Sequence, residues 1–470
     1  MKQGNMQKNC LILMPFGSEV RQFGHSGMIT NLIDSGWNIV VAAKIIDEDL
    51  KNQLDKRIRF IPLIQERLPK KYLRLQELLD LSYQIIESRK GKKKWRYVPE
   101  KKPNPSGKIK KSLFFLAAYL ISRLPLIYNR LGVYEHHLEM NYVSPVWEKM
   151  LRDMQIDIVI VNVPRSDVLR NVLIAAKQIG IPSLLLYHTS KDITVNGRIN
   201  YEFNAIGVWN EWMKSELSQK NQNLNPQHIY ISGCAHFDCV GRSDILLPEN
   251  DFRKLLGARH DTRLVLFPAS APWVVPDEAR YVNLVARAIE TGSLPKNIQI
   301  VVRTNPMDSS SYFENQYIKN DLIIVQKANW RWESKQNWAF QRYEDMVFYN
   351  SLLHYSTICI GIPSTVTIEC AISHLPVVNI GFDLPGAKPL PGSIRAFWDS
   401  EFYRDIAESK FAELAVDPDD LLTKLRDHLI KSTFDVTQSQ NLLSTILGVP
   451  PHQSEKKYIE LINQTISTKD

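Results

Sequence analysis

Along this chain, short continuous apolar runs alternate with stretches whose apolar residues recur three and four positions apart. Cys10–Phe16 is the first such run, followed by a turn-rich loop from Gly17 to Gly24. Ser26–Ser35 then carries Met28, Ile29, Leu32 and Ile33 on one helical face. Gly36 ends it, and Trp37–Ala42 and Arg57–Leu63 read as further strands. Continuous apolar runs of this length are typical of strands buried on both faces, and periodic stretches between them are crossover helices. The rhythm resumes at Ile156–Asn162 (strand), Asp167–Gln178 (helix), Pro182–Tyr187 and Ala205–Trp209 (strands), Glu211–Lys220 (helix) and His228–Ser232 (strand).

A second set begins at Arg263–Phe267. It continues through a helix at Asp277–Thr291 and strands at Ile298–Arg303 and Leu322–Val325. Lys327–Gln341, with Trp330, Trp332 and Trp338, reads as an aromatic insertion or loop, and Met346–Tyr355 as a helix. Tyr355–Phe382 is the most informative stretch. Ile358–Ile360 is a strand, and Gly361–Pro363 turns the chain. Ser364 and Thr365 open a helix containing Glu369, and Val377–Ile380 is the next strand. A proline- and glycine-rich loop follows (Pro385–Pro391), then a mostly helical tail from Asp399, with a helix from Asp417 and Pro418 through Leu429.

Strand–helix–strand units in two sets predict an α/β protein with two Rossmann-like domains facing a cleft. The expected division is an N-terminal domain over 1–240, a second over 241–395, and C-terminal helices over 396–470 packing back on both. The first domain is interrupted by a basic and apolar helical insertion at about 66–140.

The chain has 470 residues, 44% hydrophobic and 23% charged, a composition ordinary for a globular protein with two or three domains. Its five cysteines are scattered and form no metal-ligand spacing, so no structural metal and a reducing, cytoplasmic setting are expected. Cys10–Phe16 is too short for a signal-peptide core, and no stretch reaches the roughly 20 apolar residues that span a bilayer. The net charge of +8 matters through its distribution. Arg89 to Lys111 is dense in Lys and Arg, with Trp95 and Tyr97 among them, and the apolar run Leu113–Ile121 follows. Residues 89–130 therefore suit an anionic membrane surface, reaching the inner face of the cell membrane. A solvated basic loop before a core helix reads equally well. Nothing matches a nucleic-acid-binding motif.

Candidate chemistry sits at strand exits. Ser364 and Thr365 at a helix start suit a phosphate, with Glu369 one turn on for ribose hydroxyls; plain helix capping is the alternative. Arg303 ends a strand as a fork-shaped cation suited to a diphosphate, or as a surface ion pair; Asn305 follows it. His188 and His25 compete as general base, each also readable as a packing histidine. Arg21 lies in the loop after the first strand. The sequence contains no G-x-G-x-x-G, no G-x-x-x-x-G-K-[ST] and no G-x-S-x-G, and no D-x-D directly at the end of a predicted strand. Dinucleotide cofactors, P-loop ATPases, hydrolase elbows and metal-dependent single-domain sugar transferases are thereby disfavoured.

Several segments together resemble the two-domain nucleotide-sugar transferases of the GT-B fold that build bacterial surface polysaccharides. They also resemble the related CDP-glycerol glycerophosphotransferases. Arg303-Thr-Asn-Pro306 is similar to an R-x-H-P strand exit, and Gly361 through Glu369 to a G-x-x-S-T-x-x-x-E donor-binding turn. Leu375–Ile380 is similar to a G-x-P-V-I strand, and Tyr187–Lys191 to the Q-H-G or H-G-T turn of an acceptor domain. Val208–Trp212 with Ile231–Gly233 and Asp238 resembles the approach to the interdomain linker. Glu401–Tyr403 and Asp417–Leu421 resemble the C-terminal helices. Two positions differ: Asn305 stands in place of His, and Thr189 in place of Gly. The resemblance implies a metal-independent glycosyltransferase without cofactor, using a nucleoside-diphosphate sugar and a growing or lipid-linked glycan acceptor. Arg21, Arg303, Asn305, Ser364, Thr365 and Glu369 would bind substrate, and His188 or His25 would take the acceptor's proton. A polyol-phosphate transferase, a nucleotide-sugar epimerase and a non-catalytic scaffold subunit remain as alternatives.

Overall fold

The computed structural model describes residues 7–89, 105–164, 166–190, 193, 198–199, 201–220, 224–271, 274–308, 315–316, 321–386, 393–395, 403, 406, 409–431 and 436–467. Of the sequence-based readings, the basic run over 90–104, Lys191, the loop 387–391 and Glu401 and Phe402 lie outside them. By their contacts the residues form two compact units, Met1–His236 with Gln453–Asp470, and Phe237–His452.

The first unit is built on seven parallel strands: β1 (Asn9–Met14), β2 (Asn38–Ala43), β3 (Arg59–Pro62), β4 (Ile158–Val161), β5 (Ser183–Leu186), β6 (Ala205–Val208) and β7 (Ile229–Ile231). Their order is β3-β2-β1-β4-β5-β6-β7. Cys10 to Met14 of β1 and all four residues of β4 are buried, which is why these runs are continuously apolar. The helices are α1 (Met28–Asp34), α2 (Glu48–Asn52), α3 (Lys70–Arg89), α4 (Pro105–Ile121), α5 (Pro125–Met140), α6 (Pro145–Asp153), α7 (Asp167–Gln178) and α8 (Glu211–Lys220). Proline stands in the first turn of α5 and α6, where its missing N–H costs nothing. Helices α3, α4 and α5 pack on one another and form the expected helical insertion. The C-terminal helix Ser454–Ser467 belongs to this unit and packs on α1, β5 and β6.

The second unit holds β8 (Arg263–Pro268), β9 (Ile298–Arg303), β10 (Ile323–Gln326), β11 (Trp330–Glu333), β12 (Trp338–Gln341), β13 (Ser356–Gly361), β14 (Val377–Ile380) and β15 (Ala412–Ala415). Its helices are α9 (Glu249–Leu256), α10 (Ala279–Glu290), α11 (Tyr343–Tyr355), α12 (Val366–Ile372), α13 (Pro418–Lys431) and α14 (Val436–Leu447). The parallel sheet runs β10-β9-β8-β13-β14-β15. Both units are thus Rossmann-like α/β domains, as the apolar rhythm predicts.

Three local readings change. The stretch read as an aromatic insertion is an antiparallel hairpin, β11 with β12, in which Trp332 faces Ala339 and Trp338 is fully buried. The loop after β1 contains a π-helical turn, Val20–His25, whose residues are almost all buried. The tail contributes an edge strand, β15, paired with β14 from Val377↔Ala412 to Ile380↔Ala415. Its Glu413 and Leu414 face outward, so the segment lacks the apolar run that marks the other strands.

One buried acid fixes the loop leaving β8. Glu278 is fully buried, and its Oε2 accepts from the Ser270 amide (2.8 Å) and hydroxyl (2.7 Å). Its Oε1 is buried with no hydrogen-bond partner among the described residues. Burial raises its pKa from the ordinary 4.5 to about 8, with the Ser270 bonds pulling the other way, so the carboxyl is neutral at pH 7. The folded protein keeps a proton that the unfolded chain releases between these two values. The stabilising contribution is therefore complete below pH 4.5 and lost as pH rises through about 8. Glu278→Gln should remove this dependence. Denaturant unfolding across that range should show the parent losing stability relative to the variant as pH rises; parallel pH profiles would contradict the assignment.

Candidate functional site

An open parallel sheet binds ligands beyond the carboxyl ends of its strands, at the point where strand order reverses. In the second unit that point lies between β8 and β13, since β9 and β10 extend one way and β14 and β15 the other. The two exits are close, with the position of a Cβ on Gly361 3.5 Å from the Pro268 ring. The segment from Gly361 to Glu369 is therefore at the switch point itself. Ser364 Oγ accepts from the Val366 amide at 3.3 Å, so it does cap the chain locally. Thr365 is the N-cap residue of the two-turn helix α12; it is exposed and makes no capping bond through its side chain.

Arg303 leaves the adjacent β9, but not as a surface ion pair. Its side chain is 8% exposed, and Nη2 donates to Asp345 Oδ2, itself 1% exposed, at 2.5 Å. Nη1 donates to Gln326 Oε1 at 2.5 Å, so both terminal nitrogens of the expected diphosphate fork are engaged within the protein. Asp345 also accepts from the Asn329 amide (2.8 Å) and from Gln341 Nε2 (2.9 Å). The guanidinium lies 4.8 Å from the ring centre of Tyr349, a cation–π contact. Tyr349 donates its hydroxyl to Glu369 Oε2 at 2.6 Å. Burial, and then the Glu369 charge, push this phenol well above its ordinary pKa, so it remains a donor. Arg303 and Glu369 are thus joined through Tyr349. Asn305 Oδ1 accepts from the Met307 amide (2.9 Å), holding the turn after Arg303.

Asp345 and Tyr349 went unread in the sequence. They stand four apart on α11, hence on one helical face, but the apolar pattern starts that helix only at Met346.

In the first unit, order reverses between β1 and β4. The π-helical turn after β1 presents Arg21, Gln22 and His25, all buried. Single turns of this kind often accompany functional sites. Gln22 ties three elements together: Nε2 donates to Leu186 O (3.1 Å) and Tyr458 Oη (3.0 Å), and Oε1 accepts from Asn162 Nδ2 (3.0 Å). Arg21 Nε donates to the carbonyl of His236 at 3.1 Å. The His188 and His236 rings meet edge-to-face at 5.9 Å. Burial, followed by the Arg21 charge, lowers the pKa values of His25 and His188 from 6.5 to about 4. The same causes, with His188 and His25 added, hold His236 well below its ordinary value. All three imidazoles are neutral at pH 7, beside a fixed cation. Such a group can accept a proton from a hydroxyl or hold an anion. His188 Nδ1 is buried with no hydrogen-bond partner among the described residues. His236, five residues beyond the end of β7, escaped the sequence reading, and its position past a strand exit was the one available signal. Among the described residues, no three His, Cys, Asp or Glu side chains are grouped to hold a metal ion.

No protein-family model matches this chain, and no curated protein matches it in sequence. Solved structures match it in fold. A putative UDP-N-acetylglucosamine 2-epimerase from Listeria monocytogenes is 11% identical with a TM-score of 0.55, covering 99% of this chain and 98% of that one. A glycosyltransferase from Rickettsia africae is 12% identical with a TM-score of 0.51, covering 98% and 99%. UDP-GlcNAc 2-epimerase from Methanocaldococcus jannaschii, in complex with UDP-GlcNAc and UDP, is 11% identical with a TM-score of 0.51, covering 97% and 99%. The likeness spans nearly the whole of each chain, and the architecture is of the GT-B type, two Rossmann-like domains.

Proposed function

We propose that this chain is a glycosyltransferase that binds a nucleoside-diphosphate sugar at the carboxyl edge of its second sheet. The observation that carries the reading is that Ser364, Thr365 and Glu369 follow directly from β13, whose carboxyl end lies beside that of β8 where the strand order reverses. The fold supports it, because matching structures include a glycosyltransferase and an enzyme in complex with UDP-GlcNAc and UDP.

In this reading Ser364 and Thr365 meet the diphosphate with hydroxyl and backbone donors. Glu369, oriented by Tyr349, receives ribose hydroxyls. Arg303 acts mainly as a positioning residue, its charge balanced by Asp345, and Asn305 shapes the neighbouring turn. His188 or His25, neutral at pH 7, takes the proton of the acceptor hydroxyl, and Arg21 supplies positive charge beside them. The acceptor oxygen bonds to the anomeric carbon as the bond from that carbon to the diphosphate oxygen breaks. The bonding pair leaves with the diphosphate, whose charge the donor groups stabilise. The sequence resemblance favours a growing or lipid-linked glycan as acceptor and a reaction without metal.

A second reading, nucleotide-sugar epimerisation, is favoured by the UDP-N-acetylglucosamine 2-epimerases among the matching folds. Conversion of a UDP-sugar in the absence of any acceptor would select it over transfer.

Thermal unfolding with UDP-, GDP-, CMP-, CDP- and ADP-linked compounds tests donor binding. A ligand at a hundred times its Kd should stabilise the native protein by about 2.7 kcal/mol. Tyr349→Phe, which removes one hydrogen bond to Glu369, should weaken that ligand by roughly tenfold with little loss of fold. Glu369→Gln should weaken it further. Undiminished affinity in both variants, each folded, would place the donor elsewhere.

Proton removal is tested separately. His188→Ala should lower turnover with nucleotide affinity unchanged, by about 100-fold if His188 is the base. An equal turnover would transfer that role to His25 or exclude both.

A further inference from the structure

Helix α5 is built inside out, and α4 beside it turns leucines to solvent. On α5, the two carboxylates Glu135 and Glu139 are buried, 2% and 4% exposed. Glu135 is held by Arg198, with Nη1 at 2.5 Å from Oε2 and Nη2 at 2.9 Å from Oε1, and Arg198 also reaches Asp80 of α3. Glu139 is held by Arg170 of α7 at 2.9 Å. The opposite side of the same helix shows Leu126, Ile127 and Val133 to solvent, with Leu126 79% and Val133 72% exposed. On α4, Leu113, Leu116 and Leu120 recur at helical spacing on one face, and all three are more than half exposed. A soluble helix ordinarily turns the other way, with apolar residues inward and acids outward.

The charges on these helices are one-sided. From Pro105 to Met140 the sequence contains two acids, and both are the buried, paired glutamates just described. Lys108, Lys110, Lys111, Arg123 and Arg130 belong to the same stretch. Arg123 and Arg130 are exposed, and Arg123 Nη2 donates to Tyr119 Oη at 2.9 Å on the rim. The outer surface therefore combines exposed apolar residues with the cations Arg123 and Arg130, and shows no exposed carboxylate among its described residues.

From this face we infer that α4 and α5 dock the protein on an anionic lipid leaflet, lying in the plane of the interface rather than crossing it. An apolar layer covered by negative headgroups complements the face in both hydrophobicity and sign. Two copies of the same cationic face would repel each other, which disfavours self-association as its cover. The pair Ser112–Ile121 and Pro125–Met140 has the composition of a span but is bent by 108°, and no single described helix is long and apolar enough to cross a membrane. An interfacial helix needs neither straightness nor that length. The inference goes beyond the proposed transferase activity and does not depend on it.

The test is sedimentation of the purified full chain with vesicles of phosphatidylcholine alone or with about one third phosphatidylglycerol. The expected result is binding to the anionic vesicles, at least roughly tenfold weaker without the anionic lipid or when salt is raised from about 0.05 to about 0.5 M. Leu116→Glu with Leu126→Glu should abolish binding while leaving thermal unfolding unchanged, because both residues are exposed. Leu116→Ser with Leu126→Ser provides the same test without added charge. Arg123→Glu with Arg130→Glu should remove the preference for anionic lipid. No binding by the parent would overturn the inference. So would unchanged binding of the leucine variants, which would assign the attraction to the basic run alone. A parent that ignores vesicles but loses a dimeric mass in the leucine variants would assign the face to a second copy of the chain.

Discussion

The buried charge of Arg303 is the constraint on which the second unit's carboxyl edge depends. A guanidinium removed from water costs several kcal/mol unless it is paired with good geometry. Here Asp345 supplies the countercharge, and Asp345 is itself held by the Asn329 amide and Gln341. Meeting that requirement draws together β9, the end of β10, the β11–β12 hairpin and α11. Tyr349, one turn further along α11, lies against the same guanidinium and carries the order to Glu369 on α12. A buried, paired cation thus lies against the tyrosine whose hydroxyl holds the Glu369 carboxylate. The hairpin, which has no place in the parallel sheet, contributes through Gln341 to this network.

The first unit solves a similar problem with neutral groups. Parallel strands deliver all their exits to one edge, so their polar loop residues must satisfy one another there. Gln22 does this for three exits and the C-terminal helix, using its amide oxygen and nitrogen on Asn162, Leu186 and Tyr458. Beside it, burial and Arg21 keep His25, His188 and His236 uncharged. The same surroundings that make these imidazoles costly to protonate make them available as acceptors of hydrogen bonds at neutral pH.

The sequence made the sheets legible because strands buried on both faces leave nothing but apolar side chains to read, as in Cys10–Met14 and Ile158–Val161. Where burial is one-sided or local, the signal fades. β15 is Ala-Glu-Leu-Ala with its middle two residues exposed, and the Trp-rich β11 is only half-buried. Residues at strand exits were legible as candidates, since position alone selects Arg303, Ser364 and His188. Their partners were not. Nothing local pairs Arg303 with Asp345, 42 positions away, or brings His236 to His188. The inverted amphipathicity of α5 was hidden for the same reason. The cations that enclose Glu135 and Glu139 are Arg198 and Arg170, 63 and 31 positions away.

Hydrogen exchange of the full chain with and without a saturating nucleoside diphosphate tests the central claim most directly, namely that the donor binds where β8 and β13 part. Protection should appear in the backbone amides around Ser270 and from Gly361 to Glu369, the exits that flank the reversal of strand order. Protection confined to other segments, with these amides exchanging at their unliganded rates, would contradict the account.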